Sequence, residues 1–230
     1  MSGRGAVLVC AALACAATGG AAPARAGAWP RAPGHFFLST AVTGWRDSRG
    51  VEARGELFLE YGLKDGWTLG LESELGASGG GDVFVGAYRM APWSSGRDKL
   101  RWGLALGRRR VPGGGTVTIL RPALAWGRGF GAGRLPWPGW EQVELQAELW
   151  PATWQIAPKI EVTLGVKPSD RWAAMLQVRA DAYPGAPRKL RLVPGLIRRL
   201  GRHARLAISP GMTIIGGHDA DLKLAVWTEF

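Results

Sequence analysis

Cysteine is nearly missing from this chain of 230 residues: Cys10 and Cys15 are its two examples, and none follows them. Whatever folds beyond that point has no disulfide framework and no thiol chemistry, so it is stabilised by packing and backbone hydrogen bonds. Asparagine is absent altogether, which removes a Ser-His-Asn triad from the possible chemistries. Histidine is scarce, and His35, His203 and His218 are scattered. Three isolated imidazoles without cysteine make no metal site. Also lacking is any apolar run near the roughly 20 residues of a transmembrane helix.

What is present begins with an export signature. Arg4 precedes an apolar stretch from Ala6 to Ala17, and small residues then close on Ala24-Arg25-Ala26. A basic start, a short apolar core and an A-x-A site predict a signal peptide over 1–26, cleaved after Ala26. A lipoprotein signal at Cys15 fits less well, because Leu13 stands one place too late for the usual lipobox. Without Arg4 and Arg25 the 29 basic residues become 27 against 18 acidic ones, a surplus of 9. Export argues against reading that surplus as a nucleic-acid footprint, so nucleic acid is not expected as a partner.

The mature chain alternates apolar and polar residues almost throughout. Alternating stretches occupy 34–45, 51–63, 67–76, 82–91, 100–110, 116–127, 140–150, 155–167, 172–183, 188–200, 204–215 and 220–230. Each is about as long as a tilted strand needs to be to cross a bilayer, and longer than the globular average of about 5–6 residues. Gly, Pro and Asp punctuate the gaps, as in Lys64-Asp65-Gly66, Gly79-Gly80-Gly81 and Pro184-Gly185-Ala186-Pro187. No capped helical pattern and no long linker interrupt them. The expectation is one all-β domain over 27–230: a closed, antiparallel up-and-down barrel of twelve strands, or ten if the mixed face at 82–91 and the weak pattern around Pro194 mislead. Closure would leave no unpaired edge.

Period two does not say which face looks outward, since a soluble lipocalin-like barrel alternates equally well. The aromatics carry more information. Trp67, Trp93, Trp102, Trp137, Trp140, Trp172 and Trp227 lie beside connections of one side, and Trp45, Trp150 and Trp154 beside the other. Tryptophan at strand ends is the girdle expected in a membrane barrel, where the ring prefers the headgroup layer. Trp67, Trp102, Trp140, Trp150 and Trp172 are the rim candidates. A soluble periplasmic barrel binding an apolar ligand remains the competing architecture.

The chain ends in DLKLAVWTEF. Leu222, Leu224, Val226 and Phe230 share one parity with the weaker match Thr228, and this pattern resembles the C-terminal assembly signal of bacterial outer-membrane β-barrels. LEYGLKDGWTLGLE (59–72) is similar to the strand–turn–strand units of small barrels of this kind. The resemblance implies an outer-membrane location, insertion by the barrel-assembly machinery, contact with the lipid bilayer and a porin-like, monomeric form without cofactor.

Enzymes exist on such barrels. The outer-membrane phospholipase and the lipid A deacylase carry Ser two residues after the catalytic His; His35-Phe36-Phe37, His203-Ala204-Arg205 and His218-Asp219-Ala220 do not. His218-Asp219-Ala220-Asp221 with Asp82 is only a faint echo of the omptin proteases, and a solvated loop explains it far better. No catalytic residue is assigned, and a lipid-modifying enzyme stands as the rival activity. The lumen candidates are the charges opposite the apolar faces: Glu56, Glu60, Glu72, Glu74, Arg101, Arg109, Arg121, Glu144, Glu148, Lys159, Glu161, Arg179, Arg191 and Lys223, with Arg199 and Arg205 on the same basic side. Acidic residues gather on strands two, three and seven, and basic ones on five, six, ten and eleven. Two readings stay open: facing rows form a narrow channel for small solutes with an anion preference, or they pair across the interior and close it.

Overall fold

The structure, a computed structural model, describes residues 27–230 apart from 48–49, 65, 78, 93, 95, 111–114 and 134. The expected signal peptide over 1–26 and the rim residue Trp93 lie outside the described residues. The elements are β1 (Phe36–Asp47), β2 (Gly50–Lys64), β3 (Trp67–Gly76), β4 (Gly81–Met90), β5 (Asp98–Arg110), β6 (Thr116–Phe130), β7 (Gly139–Trp150), β8 (Gln155–Val166), β9 (Trp172–Asp181), β10 (Lys189–Arg199), β11 (Ala204–Ile215) and β12 (Ala220–Glu229). Every strand pairs antiparallel with its neighbours in sequence, and β1 pairs with β12, so the twelve close into a barrel. The expected architecture is thus observed at twelve strands, not ten. A ten-residue strand is about 33 Å long and covers about 25 Å of bilayer when tilted by about 40°.

The seal is the last element against the first. Phe37 faces Glu229 and the register continues to Arg46 opposite Ala220. Phe36 and Phe230 then exchange two backbone hydrogen bonds of 3.0 and 3.1 Å. The terminal aromatic is therefore part of the wall.

Residues directly opposite one another share a face, so one row suffices to orient the wall. Trp67, Arg89, Trp102, Leu124, Leu145 and Ile160 pair in succession, and all look outward. Glu60, Gly70, Gly86, Ala105 and Arg121 form an inward row. In β5, Arg101, Gly103, Ala105 and Gly107 are buried while Trp102, Leu104 and Leu106 between them are exposed. A water-soluble protein would not leave so continuous an apolar exterior uncovered. Among the described residues the buried apolar side chains are mostly small; one cluster gathers around Trp29, Trp140 and Ile197 and another around Phe84 and Ile119.

Proline explains the weak pattern near residue 194. The β10–β11 ladder runs through Leu192 opposite Met212 and resumes at Leu196 opposite Ile208. In the interval the same register sets Pro194 against Pro210. A facing pair of an antiparallel ladder can exchange two N–H···O=C bonds, and two prolines can donate neither.

Val85, 60% exposed, stands between Leu71 and Leu106 on the outer face. Val85→Arg should destabilise the barrel in vesicles by about 2–4 kcal/mol, read from urea-dependent folding. Gln177→Arg, on the inner face beside Glu161, should cost less. Equal costs would contradict the assignment of faces.

Candidate functional site

The inward positions carry a charged lumen whose opposed rows meet. β2 and β5 are separated in the wall by β3 and β4, yet Arg101 reaches Glu60 at 2.7 Å. Arg121 on β6 pairs with Glu72 on β3, and its guanidinium sits 4.0 Å from the centre of the Phe84 ring. Arg109 on β5 bridges Asp82 at 2.6 Å and Glu148 on β7 at 2.7 Å. Lys159 reaches the same Glu148 at 2.5 Å, with the Tyr183 hydroxyl donating to it at 3.5 Å. Glu60 and Glu148 are both 0% exposed. Burying a carboxylate is costly unless several donors replace its water, and each of these has two cationic partners.

The remaining candidates complete the ring. Lys223 pairs with Glu56, to which the Thr43 hydroxyl also donates at 2.5 Å. Arg54 pairs with Glu74 at 2.6 Å, Arg179 with Glu161 at 2.7 Å, Arg191 with Asp221 and Arg205 with Glu229 at 3.1 Å. Glu144 receives the Gln146 amide at 2.7 Å. Arg199, half-buried, donates from Nε to the Gly201 carbonyl at 2.9 Å. All fourteen lumen candidates thus occupy the inner face. Water still enters: Glu72, mid-strand between Phe58 and Phe84, is 43% exposed, and Arg179 is 40% exposed.

One component has no counterpart in the strand pattern. Residues 27–33 fold into the barrel at the end where the chain termini lie. Ala28 and Trp29 are buried against Ala125, Trp140, Ile197, Ala207 and Ala225. The Trp29 ring occupies the space a Cβ on Gly127 would need, 2.7 Å away. Further along, Arg31 binds Glu60 at 2.8 Å and Glu229 at 3.6 Å, and its guanidinium lies 4.3 Å from the centre of the Phe37 ring. A Cβ on Gly62 would strike the Ala32 carbonyl oxygen at 2.0 Å. The segment therefore crosses the lumen from β6–β7 to β2–β3, and two inward glycines admit it. Beside it a hollow of about 300 Å³ opens at the mouth, lined by Trp29, Arg97, Lys99 and Phe130 among others. The aperiodic Pro- and Gly-rich stretch GAWPRAPGHF does not reveal this path, and Trp29 and Arg31 beside β1 are the one signal it carries.

Two rim assignments are corrected. Trp140 and Trp150 face inward: Trp140 lies over Gly165, and Trp150 packs against the Phe84 and Ile119 cluster. Trp45 is also inward, with Arg54 5.0 Å from its ring centre. The outward aromatics Trp67, Trp102, Trp126 and Trp172 with Tyr61 collect toward the end bearing the termini, while the far side has Trp154 in the turn after β7, 89% exposed. One belt is well populated and the other is sparse. Leu222, Leu224, Val226 and Phe230 all present exposed side chains on the outer face.

The residues of the omptin-like echo are not brought together. Asp219 and Asp221 are engaged by Lys189 and Arg191, and Asp82 by Arg109, several strands away around the wall. His35 lies just before β1, and His203 and His218 lie in the β10–β11 and β11–β12 connections.

No protein-family model matches the sequence, and no curated protein does. Solved structures do match. The NanC porin aligns with a TM-score of 0.65 at 10% identity, over 83% of this chain and 98% of that one. The KdgM porin in complex with disordered oligogalacturonate aligns at 0.62 and 9% identity, over 84% and 99%. An outer-membrane channel from Pseudomonas putida F1 aligns at 0.59 and 13% identity, over 91% and 99%. The fold is that of an outer-membrane porin-like β-barrel. At these identities the likeness is one of fold.

Removing Glu148 leaves Arg109 and Lys159 without their shared anion. Glu148→Ala should lower stability by about 3–5 kcal/mol, seen as a fall in the temperature at which the folded band on SDS gels converts to the unfolded one. Asp98→Ala, which breaks an exposed pair with Arg128 at 4.0 Å, should change it by no more than about 0.5 kcal/mol.

Proposed function

We propose that the chain is a monomeric outer-membrane barrel acting as a narrow, passive, non-catalytic channel for small solutes. The observation that carries this reading is the accessible surface of interior charge: Glu72 and Arg179, inward-facing on their strands, are 43% and 40% exposed inside a closed cylinder with an apolar exterior. Two of the similar structures are porins and a third is an outer-membrane channel, which supports the reading at the level of fold. Export through a signal peptide cleaved after Ala26 and recognition of Leu222, Leu224, Val226 and Phe230 by the assembly machinery complete it.

Residues 27–33 narrow the passage at the terminal mouth. We assign the weak anion preference to that mouth, where Arg97 and Lys99 flank Trp29. The lumen wall offers less selectivity, because its charges are largely matched by ion pairs.

Planar-bilayer recording tests the proposal. The wild type should give small conductance steps with a modest preference for anions. Deletion of 27–33, or Trp29→Gly, should enlarge the steps severalfold while the protein keeps its heat-modifiable migration. Silence of wild type and both variants at every salt concentration would refute the channel.

A further inference from the structure

The lumen pairs its charges, and that sets apart one group of arginines that does not. At the end bearing the termini, the β8–β9 and β10–β11 turns enclose a hollow of about 520 Å³ lined by Arg171, Arg198, Arg199, Arg202, Asp170 and Leu200. The Arg199 amide donates to the Arg171 carbonyl at 2.9 Å, which ties the two turns together. Arg199 also spends its Nε on the Gly201 carbonyl. Arg171, Arg198 and Arg202 are exposed, and none has an ion-pair partner among the described residues. Asp170 reduces the positive surplus without cancelling it.

The surroundings say what kind of anion fits. The Arg198 guanidinium lies 5.4 Å from the centre of the outward Trp172 ring, and an indole in that position marks the headgroup layer of a bilayer. Directly below on the outer wall, Leu196 pairs with the small Ala174, and Leu196 is exposed. Guanidinium forks above and an apolar slot below match a phosphate joined to an acyl chain. Arginine suits this because its planar fork binds two phosphate oxygens at once and is weakly hydrated.

We propose that this hollow is a binding site for the phosphate of an anionic phospholipid in the leaflet that surrounds the terminal rim. Arg171, Arg198 and Arg202 hold the headgroup, Trp172 stands at its level, and Leu196 and Ala174 flank its acyl chain. The site fixes the barrel's depth on one side and favours acidic lipid next to β9 and β10. It rests on the reading that the outer face meets lipid.

The test uses the full barrel, folded in detergent micelles doped with phosphatidylglycerol or phosphatidylcholine and released for native mass spectrometry. Wild type should retain phosphatidylglycerol and not phosphatidylcholine. The Arg171→Gln, Arg198→Gln, Arg202→Gln triple variant should retain at least about tenfold less, since each cation near an anionic lipid surface contributes roughly a factor of five. Arg108→Gln, on the opposite rim, should behave as wild type. Equal retention by the triple variant, or equal retention of both lipids, overturns the site. Displacement of the lipid by millimolar inorganic phosphate overturns the lipid as its occupant. Flotation with phosphatidylcholine vesicles separates the two levels: failure to float sinks the membrane reading, whereas floating without selective retention sinks the site alone.

Discussion

A peptide group in hydrocarbon has no water to bond, so a wall of strands can cross a membrane only if every strand has a partner on both sides. That constraint governs the rest of this molecule. In this up-and-down order it requires β12 to return to β1, and the reciprocal bonds of Phe36 and Phe230 lie in that closing seam. Closure then divides each strand into two environments. Leu69, Leu104, Ile160 and Leu224 occupy the outside, and the polar residues between them share an enclosed space.

Inside that space the limiting factor is the desolvation of charge. The chain answers it with shared partners: Glu60 between Arg31 and Arg101, Glu148 between Arg109 and Lys159. These contacts reach over intervening strands and brace the cylinder across its width. The apolar residues of the interior do a different task. One of their two clusters gathers around Trp29 and holds a segment that is not part of the wall, and Arg31 of that segment joins it to the charge network at Glu60, so restriction of the passage and bracing of the cylinder are coupled.

Much of this was legible in the sequence. Period two identified the strands, and the fourteen charged candidates lie where their parity put them. Parity could also have placed Trp140 with Gln142 and Glu144, and Trp150 with Glu148; weighting their position at strand ends over their parity caused the misplacement. Which charges meet was beyond reach, because partners such as Arg121 and Glu72 are brought together by the stagger of the strands and not by spacing along the chain. The path of residues 27–33 was equally hidden. A segment without period is positioned by the cavities left for it, here at Gly62 and Gly127, and those exist only once the barrel is formed.

The opposed prolines of β10 and β11 have a mechanical consequence. Every other seam resists sliding and bending through an unbroken run of bonds or a shorter gap, whereas here the cross-links between Leu192 and Leu196 are missing on both strands at once. A cylinder squeezed sideways yields along its least-stitched line. This barrel should therefore flatten about the Pro194–Pro210 line first, going from round to oval there while the seal between β1 and β12 stays shut.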